Sequence, residues 1–211
     1  MSRFLEYTIK HYDKLLTALL EHLGMVGITL LISVALALGI ALLIFDKRRL
    51  SEWVMRITGM VYTIPSLALF ALLIPLTGLG QKTAVAVLVI YNQYILVRSF
   101  VEAFQMVDPG VLEAAAGMGM TRLQIFSKVR FPLALDALVA GVHIAVISTI
   151  GIATIGATIG AGGLGAILFD GMRTQNGVKI VWGTVLCVVL VLAVNGILKL
   201  VEKKLKKRMG V

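Results

Sequence analysis

Leu5, Ile9, Tyr12, Leu16, Leu19 and Leu23 recur every three or four residues, with Glu6, Lys10, Asp13, Lys14 and Glu21 between them. That spacing predicts an amphipathic helix over residues 1–23, lying along a membrane surface or packed against the rest of the chain. The pattern then changes. Residues 24–45 are uncharged and rich in Leu, Ile and Val, and end at Asp46, Lys47, Arg48 and Arg49. A second uncharged run, 57–80, contains Pro65 and Pro75; Pro65 removes a backbone donor, so a kinked helix is expected. Residues 83–101 form a third run marked by Asn92, Gln93 and Arg98, and further runs cover 132–155 and 180–200. About 18 or more apolar residues in a row are needed to cross a hydrocarbon core of roughly 30 Å as helix. The ten-residue alternation of a transmembrane barrel is absent. The pattern therefore predicts an all-α membrane protein of about five transmembrane helices, one domain over residues 1–211. Between the last two runs, "GATIGAGGLGAILFDGM" (156–172) is too glycine-rich for a straight helix and reads as a loop with a short re-entrant segment.

Composition strengthens this picture. Of 211 residues, 59% are hydrophobic and 15% charged, which excludes an ordinary soluble domain. The net charge of +9 raises nucleic acid as a partner, but the cations gather at the ends of apolar runs and near the C-terminus rather than along one soluble face. They read as orientation signals, and no nucleic-acid partner is expected. Five spans place fourteen of the twenty Lys and Arg on one side, with the C-terminus and residues 105–130. That side is predicted to be cytoplasmic and the N-terminus outside. The basic tail, 201–211, suits anionic lipid, or a surface that senses ionic strength through screening. Residues 1–23 carry charges throughout, so no cleavable signal is expected. Cys187, the single cysteine, reads as a small core residue.

One segment is out of keeping with a lipid-embedded chain. In "VDPGVLEAAAGMGMTRLQ", from Val107, Asp108 can cap a helix and Pro109 suits its first position. A short helix is predicted over 109–116, ended by Gly117 and Gly119. Thr121 and Gln124 have capping-box spacing for a second helix leading through Val129 into the fourth span. The first helix is smooth, with Ala114, Ala115 and Ala116 in a row and Glu113 as one orienting charge. Such a surface suits a partner protein or close packing on the chain's own helices.

Glu113, Ala114, Ala115, then Gly119, then Val129, Phe131 and Pro132 resemble the signature of the membrane subunits of bacterial binding-protein-dependent ABC importers. Val129 and Phe131 depart from its usual Ile and Leu but stay apolar. The blocks "TIPSLALFALLIPLTGLG", "VDPGVLEAAAGMGM" and "IGAGGLGAILFDGM" are similar to the glycine betaine, carnitine and choline branch. The resemblance, over roughly residues 20–200, implies a type I importer permease in the bacterial cytoplasmic membrane. It implies that 105–130 is a coupling loop, with Glu113, Ala114, Ala115, Gly117, Gly119 and Pro132 engaging a cytoplasmic ABC ATPase dimer. ATP and Mg would bind that ATPase and this chain would hold no cofactor. It further implies a second permease copy or paralogue and an extracytoplasmic substrate-binding protein. The function implied is an ATP-driven importer subunit for quaternary amine osmoprotectants; a permease for another small solute is the alternative.

Polar residues within spans are costly in lipid and are candidates for the path or gate. These are Tyr62, Thr63, Pro65 and Ser66 at the expected kink, Asn92 and Gln93, and Gly160, Gly162 and Gly163; His143 joins them. Interhelical hydrogen bonding is the competing role for the polar side chains. Asp136 is expected to pair with Arg98 or Arg130. Aromatic residues are few in the spans, so no tight cage for a quaternary ammonium is expected in this chain. "GAGGLG" at residues 160–165 fits a dinucleotide fingerprint by letter but lacks the strand-helix unit around it, and "GLGQKT" at 78–83 does not satisfy the P-loop pattern. His11, His22 and His143 are too scattered for a metal site, and no catalytic grouping is expected. A channel or secondary transporter would need no ATPase, and secondary carriers often show paired halves or intramembrane acids; no duplicated half is visible here and the spans hold scarcely any acid.

Overall fold

The computed structural model describes residues 2–209. Met1, Gly210 and Val211, the extremes of the amphipathic segment and the basic tail, lie outside the described residues. The described residues form helices α1 (Ser2–Ile44), α2 (Arg48–Tyr62), α3 (Ser66–Thr77), α4 (Gln81–Gln105), α5 (Pro109–Gly117), α6 (Arg122–Ile125), α7 (Phe131–Ile155), α8 (Leu164–Arg173) and α9 (Gly177–Met209). A π-helical turn, Phe126–Arg130, joins α6 to α7, and a 3₁₀ turn, Gly156–Ile159, follows α7. Among the described residues, four helical stretches are long and apolar enough to cross a membrane: Phe4–Ile44, Gln81–Gln105, Arg122–Ile159 and Gly177–Lys207. The pair α2 and α3 makes a fifth if counted as one broken span.

The amphipathic segment and the first span are one element. At about 1.5 Å per residue, the 43 residues of α1 run roughly 65 Å, about twice a hydrocarbon core. The break in it lies at His11 (φ −131°, ψ 22°), not near residue 24. The latter part of this segment packs on the rest of the chain: Leu15, Ala18 and His22 are buried, in line with Met25 and Val26. The predicted stripe of Leu5, Ile9, Tyr12, Leu16 and Leu23 is the exposed face instead. Farther along α1, Ser33, Ala37 and Ala41 are fully buried small residues that let α4 approach closely.

The second run departs from expectation more sharply. Pro65 does not kink one helix; α2 and α3 are separate and bent by 93°. Pro65 (φ −57°, ψ 136°) stands just before α3 and biases Ile64 away from helix. Thr63 closes α2, its hydroxyl donating to the Met60 carbonyl at 2.7 Å. The Ile64 carbonyl, freed by the break, accepts from the Tyr91 hydroxyl on α4. A neighbouring span thus supplies the partner the broken helix lacks.

Helix α4 lies at the centre, packed by α1, α2, α3 and α7. One apolar cluster, with Met25, Phe70, Leu88, Ile150 and Leu164, surrounds the end where α7 meets the glycine turn. A second, with Ala37, Leu96, Phe100, Phe104 and Ala145, surrounds the end that carries α5 and α6.

Candidate functional site

The loop between α4 and α7 is a built structure. The Asp108 carboxylate accepts from Gly110 N at 2.7 Å and Pro109 takes the first turn, so α5 starts where its sequence predicts. Gly117 is its last helical residue. Gly119, at φ +81°, reverses the chain, with Met120 N donating to the Ala115 carbonyl at 3.2 Å. A left-handed residue there favours glycine. The capping box forms in both directions: Thr121 N donates to Gln124 Oε1 at 2.8 Å, and Gln124 N to Thr121 Oγ1 at 3.4 Å. The π turn follows, Phe131 N donating to the Phe126 carbonyl. It lies directly before Pro132, which has no N–H to give and whose ring crowds an ordinary α turn.

Below α5 lies an aromatic cluster. Phe45, Phe104, Phe126 and Phe131 touch in sequence, with Phe45 to Phe104 at 5.3 Å, Phe104 to Phe126 at 5.6 Å and Phe126 to Phe131 at 6.2 Å between ring centroids. Arg130 lies 4.8 Å over the Phe45 ring and donates to Asp46 at 2.8 Å. The ends of α1, α4 and α7 and the α6 turn are thereby one packed unit. On the outer side, Glu113, Ala114, Ala116 and Gly117 are exposed, flanked by exposed Met106, Val111, Met118 and Leu123. Apolar side chains thus cluster at this span end beside charged residues.

At the other end, Gly160, Gly162 and Gly163 all have positive φ (80°, 78° and 73°). Gly163 N donates to Glu21 Oε2 at 2.9 Å. A Cβ on Gly162 would fall 2.5 Å from that carboxylate oxygen, and one on Gly163 would fall 2.9 Å from the His22 ring. Backbone conformation and close approach to α1 both call for glycine here. Beyond the turn, α8 packs back on α9, and Asp170 binds Lys179 at 2.6 Å and Arg173 at 3.0 Å. Hydrogen bonds from Lys179, then Arg173, hold the Asp170 carboxyl below its ordinary value.

A family model described as the binding-protein-dependent transport system inner membrane component matches residues 30–211. The chain belongs to that family. It is accordingly a multi-pass inner-membrane permease subunit of the ABC-importer class. It is 36% identical over 188 residues to the glycine betaine/carnitine/choline permease OpuCD of Bacillus subtilis, covering 87% of this chain and 81% of that one. The carnitine permease OpuCD of Listeria monocytogenes is 33% identical over 88% of this chain and 83% of its own. An ergothioneine transport permease/binding protein of Helicobacter pylori, EgtU, is 42% identical over 67% of this chain, a match that spans only 26% of that longer protein. Among solved structures, a chain of the MetNI methionine ABC transporter in an inward-facing conformation superposes with TM-score 0.81 at 24% identity, covering 95% of this chain and 98% of that one. That likeness confirms the type I permease fold.

Within this permease fold the sequence-predicted residues separate. Of the coupling set, Glu113, Ala114, Gly117 and Gly119 are exposed, whereas Ala115 is 2% exposed and Pro132 is buried. The last two shape the loop from inside. Asn92 is also relocated: 2% exposed, it donates to Thr149 Oγ1 at 2.8 Å and to Ser33 Oγ at 3.4 Å, tying α4 to α7 and α1. Its role is interhelical, because no side-chain atom is left to face a path. Gln93 is half-buried and donates to the Val89 carbonyl at 3.2 Å, with its Oε1 lacking a partner among the described residues. His143 Nδ1 lies 2.8 Å from Asn195 Oδ1 and joins α7 to α9. Tyr62, Thr63 and Pro65 are exposed at the break and Ser66 opens α3. Asp136 pairs with Lys206 of the basic tail at 2.7 Å, not with Arg98 or Arg130, whose partners are Glu102 and Asp46. Three residues of consequence had no signal in the sequence: Glu21, which is ordinary within an amphipathic helix, and Tyr91 and Tyr94, which only the fold sets beside Tyr62.

Proposed function

We propose that the chain forms half of the translocation path of an ATP-driven importer for quaternary amines such as glycine betaine, carnitine or choline. It pairs with a second copy or a paralogous permease, receives solute from an extracytoplasmic binding protein, and is driven by two cytoplasmic ATPase subunits that carry ATP and Mg. The observation that carries this reading is the exposed face of α5, with Glu113, Ala114 and Gly117, set on a rigid aromatic base. The end bearing α5, α6 and the basic tail then lies in the cytoplasm and the N-terminus outside, in keeping with the lysine and arginine bias.

A push on α5 and α6 is transmitted through Phe126 to Phe104 and Phe45, and through Arg130 to Asp46, so the ends of α1 and α4 move with the loop. Packed aromatic side chains convey such a displacement because the interior is close-packed and does not deform smoothly. At the far end the Gly160, Gly162 and Gly163 turn, held by Glu21, serves as part of the outer gate. The substrate class is supported by the three permease relatives matched by sequence, whose printed substrates, glycine betaine, carnitine, choline and ergothioneine, all carry a trimethylammonium group.

The test is purification from native membranes with identification of the co-purifying chains, followed by reconstitution and uptake of labelled glycine betaine, carnitine, choline and ergothioneine. A stoichiometric ATPase and ATP-dependent uptake of any of these support the reading. A self-sufficient oligomer without a nucleotide-binding partner overturns it in favour of a channel or secondary carrier. ATP-driven uptake of an unrelated solute keeps the permease and replaces the substrate.

A further inference from the structure

The break between α2 and α3 gathers three tyrosines that the sequence scatters. Tyr62 meets Tyr91 edge to face at 5.5 Å (86°) and Tyr94 at 5.0 Å (34°). The close approach of the two helices depends on Gly59, where a Cβ would fall 3.2 Å from the Tyr94 ring. Two of the rings are fixed by their hydroxyls: Tyr91 donates to the Ile64 carbonyl and Tyr94 accepts from Arg98 at 3.1 Å. Tyr62 is 37% exposed and Tyr94 half-buried, so the group presents ring surface to its surroundings rather than closing on itself.

Charge distribution favours water over lipid in those surroundings. Below Tyr94, a cavity of about 280 Å³ is lined by Glu52, Met55, Arg56, Tyr94, Arg98 and Glu102. Arg98 lies seven residues, roughly 10 Å, inside the end of α4, and its side chain is 53% exposed. A charged group so placed in lipid costs several kcal/mol, so this face of α2 and α4 lines an aqueous vestibule. The carboxylates beside it are already engaged, Glu52 with Arg48 at 3.3 Å and Glu102 with Arg98 at 2.9 Å. The same cavity carries two guanidinium groups, Arg98, held by Glu102 and the Tyr94 hydroxyl, and Arg56, 5.9 Å over the Trp53 ring, so a trimethylammonium group entering here has the ring faces, and no unpaired carboxylate, as its attractive surface.

From this geometry we infer that Tyr62 and Tyr94, backed by Tyr91, form a transit site for a trimethylammonium head group within the translocation path. A quaternary ammonium has no N–H to donate, and the face of an aromatic ring is the complementary surface for it. The half-open arrangement suits a solute that must leave again. The site rests on the proposed function and names the side chains that would receive its substrate.

The test uses the complete reconstituted importer with its ATPase and binding protein, and labelled glycine betaine. Tyr62→Leu and Tyr94→Leu are expected to lower the uptake rate about tenfold each, while Tyr62→Phe recovers most of what Tyr62→Leu loses, because the ring face and not the hydroxyl carries the contact. Co-purification of the ATPase with each variant shows that the complex is assembled. Leucine variants that import at the wild-type rate overturn the site, as does a Tyr62→Phe variant that falls as far as Tyr62→Leu. A wild-type complex that moves no quaternary amine removes the proposed substrate, and with it the ligand class of the site. Failure of that kind appears in wild type, whereas failure of the site alone appears only in the variants.

Discussion

Glu21 and Gly163, 142 positions apart, are joined by a hydrogen bond of 2.9 Å from the glycine N–H to the glutamate carboxylate. This contact anchors the glycine turn after α7 to the side of α1, immediately beside the fully buried His22. It accounts for why the N-terminal segment packs on the permease as well as continuing its first span.

Gly163→Ala introduces a methyl group 2.9 Å from the His22 ring at a φ of +73°. Strain and crowding together are expected to cost about 1–3 kcal/mol. Glu21→Ala removes the acceptor and is expected to cost about 1 kcal/mol, with Glu21→Gln intermediate because its amide oxygen still accepts. Thermal unfolding of the purified subunit in detergent measures the order; equal melting temperatures for all three variants and wild type would show that the contact contributes nothing.

Gly117 and Ala114 are exposed on the outer face of α5, and Gly117 has open space where a Cβ would go. Tryptophan at either position is expected to leave the melting temperature unchanged and to abolish ATP-dependent uptake by keeping the ATPase from seating. Glu113→Lys is expected to uncouple hydrolysis from uptake. Gly119 is a poorer probe, since its φ of +81° makes any bulky residue strain the turn by about 1–2 kcal/mol before docking is affected. Normal uptake with Gly117→Trp, Ala114→Trp and Glu113→Lys would sink the docking surface.

Tyr91→Phe deletes the donor to the Ile64 carbonyl at the broken span. An acceptor left unpaired away from water costs about 1–3 kcal/mol, so the variant is expected to melt several degrees lower. An unchanged melting temperature would mean that water or a shifted Thr63 takes over the bond.

The Asn92 and Thr149 pair is expected to show a coupling energy of about 0.6–1.7 kcal/mol in a double-mutant cycle with Asn92→Leu and Thr149→Val. Uptake by the single variants should keep the wild-type KM, because the buried pair faces no path. A raised KM with unchanged stability would return Asn92 to the path.

Asp170 is held below its ordinary carboxylate value by Lys179 and Arg173. A group depressed on folding contributes stability above its unfolded value of 3.8, lost as pH falls through the lower folded value. The contact between α8 and α9 is therefore expected to be constant from pH 5 to 7 and to weaken only in stronger acid. Asp170→Asn should remove the acid step; a wild-type step centred near pH 6 would point to another group.

Much of this permease was legible from local rules. Apolar runs long enough for lipid announced a helical membrane protein, and Asp108, Pro109, Gly119, Thr121 and Gln124 built the α4 to α7 loop nearly as their spacing requires, because caps and left-handed turns depend on neighbours a few residues away. The charge bias and the Glu113 to Pro132 signature were likewise readable in one dimension. Which side chains face inward was not. Ala115 and Pro132 turn inside, Asn92 is consumed between helices, Asp136 finds Lys206, and the stripe from Leu5 to Leu23 faces outward. Each of these depends on how far apart the helices pack and how they are rotated. The 93° break shows the limit most clearly: proline forecasts a disturbance, but its size depends on whether another span offers a donor for the freed carbonyl. Tyr91 offers it from 27 residues away, and the same long-range contact assembles the tyrosine group that no stretch of sequence contains.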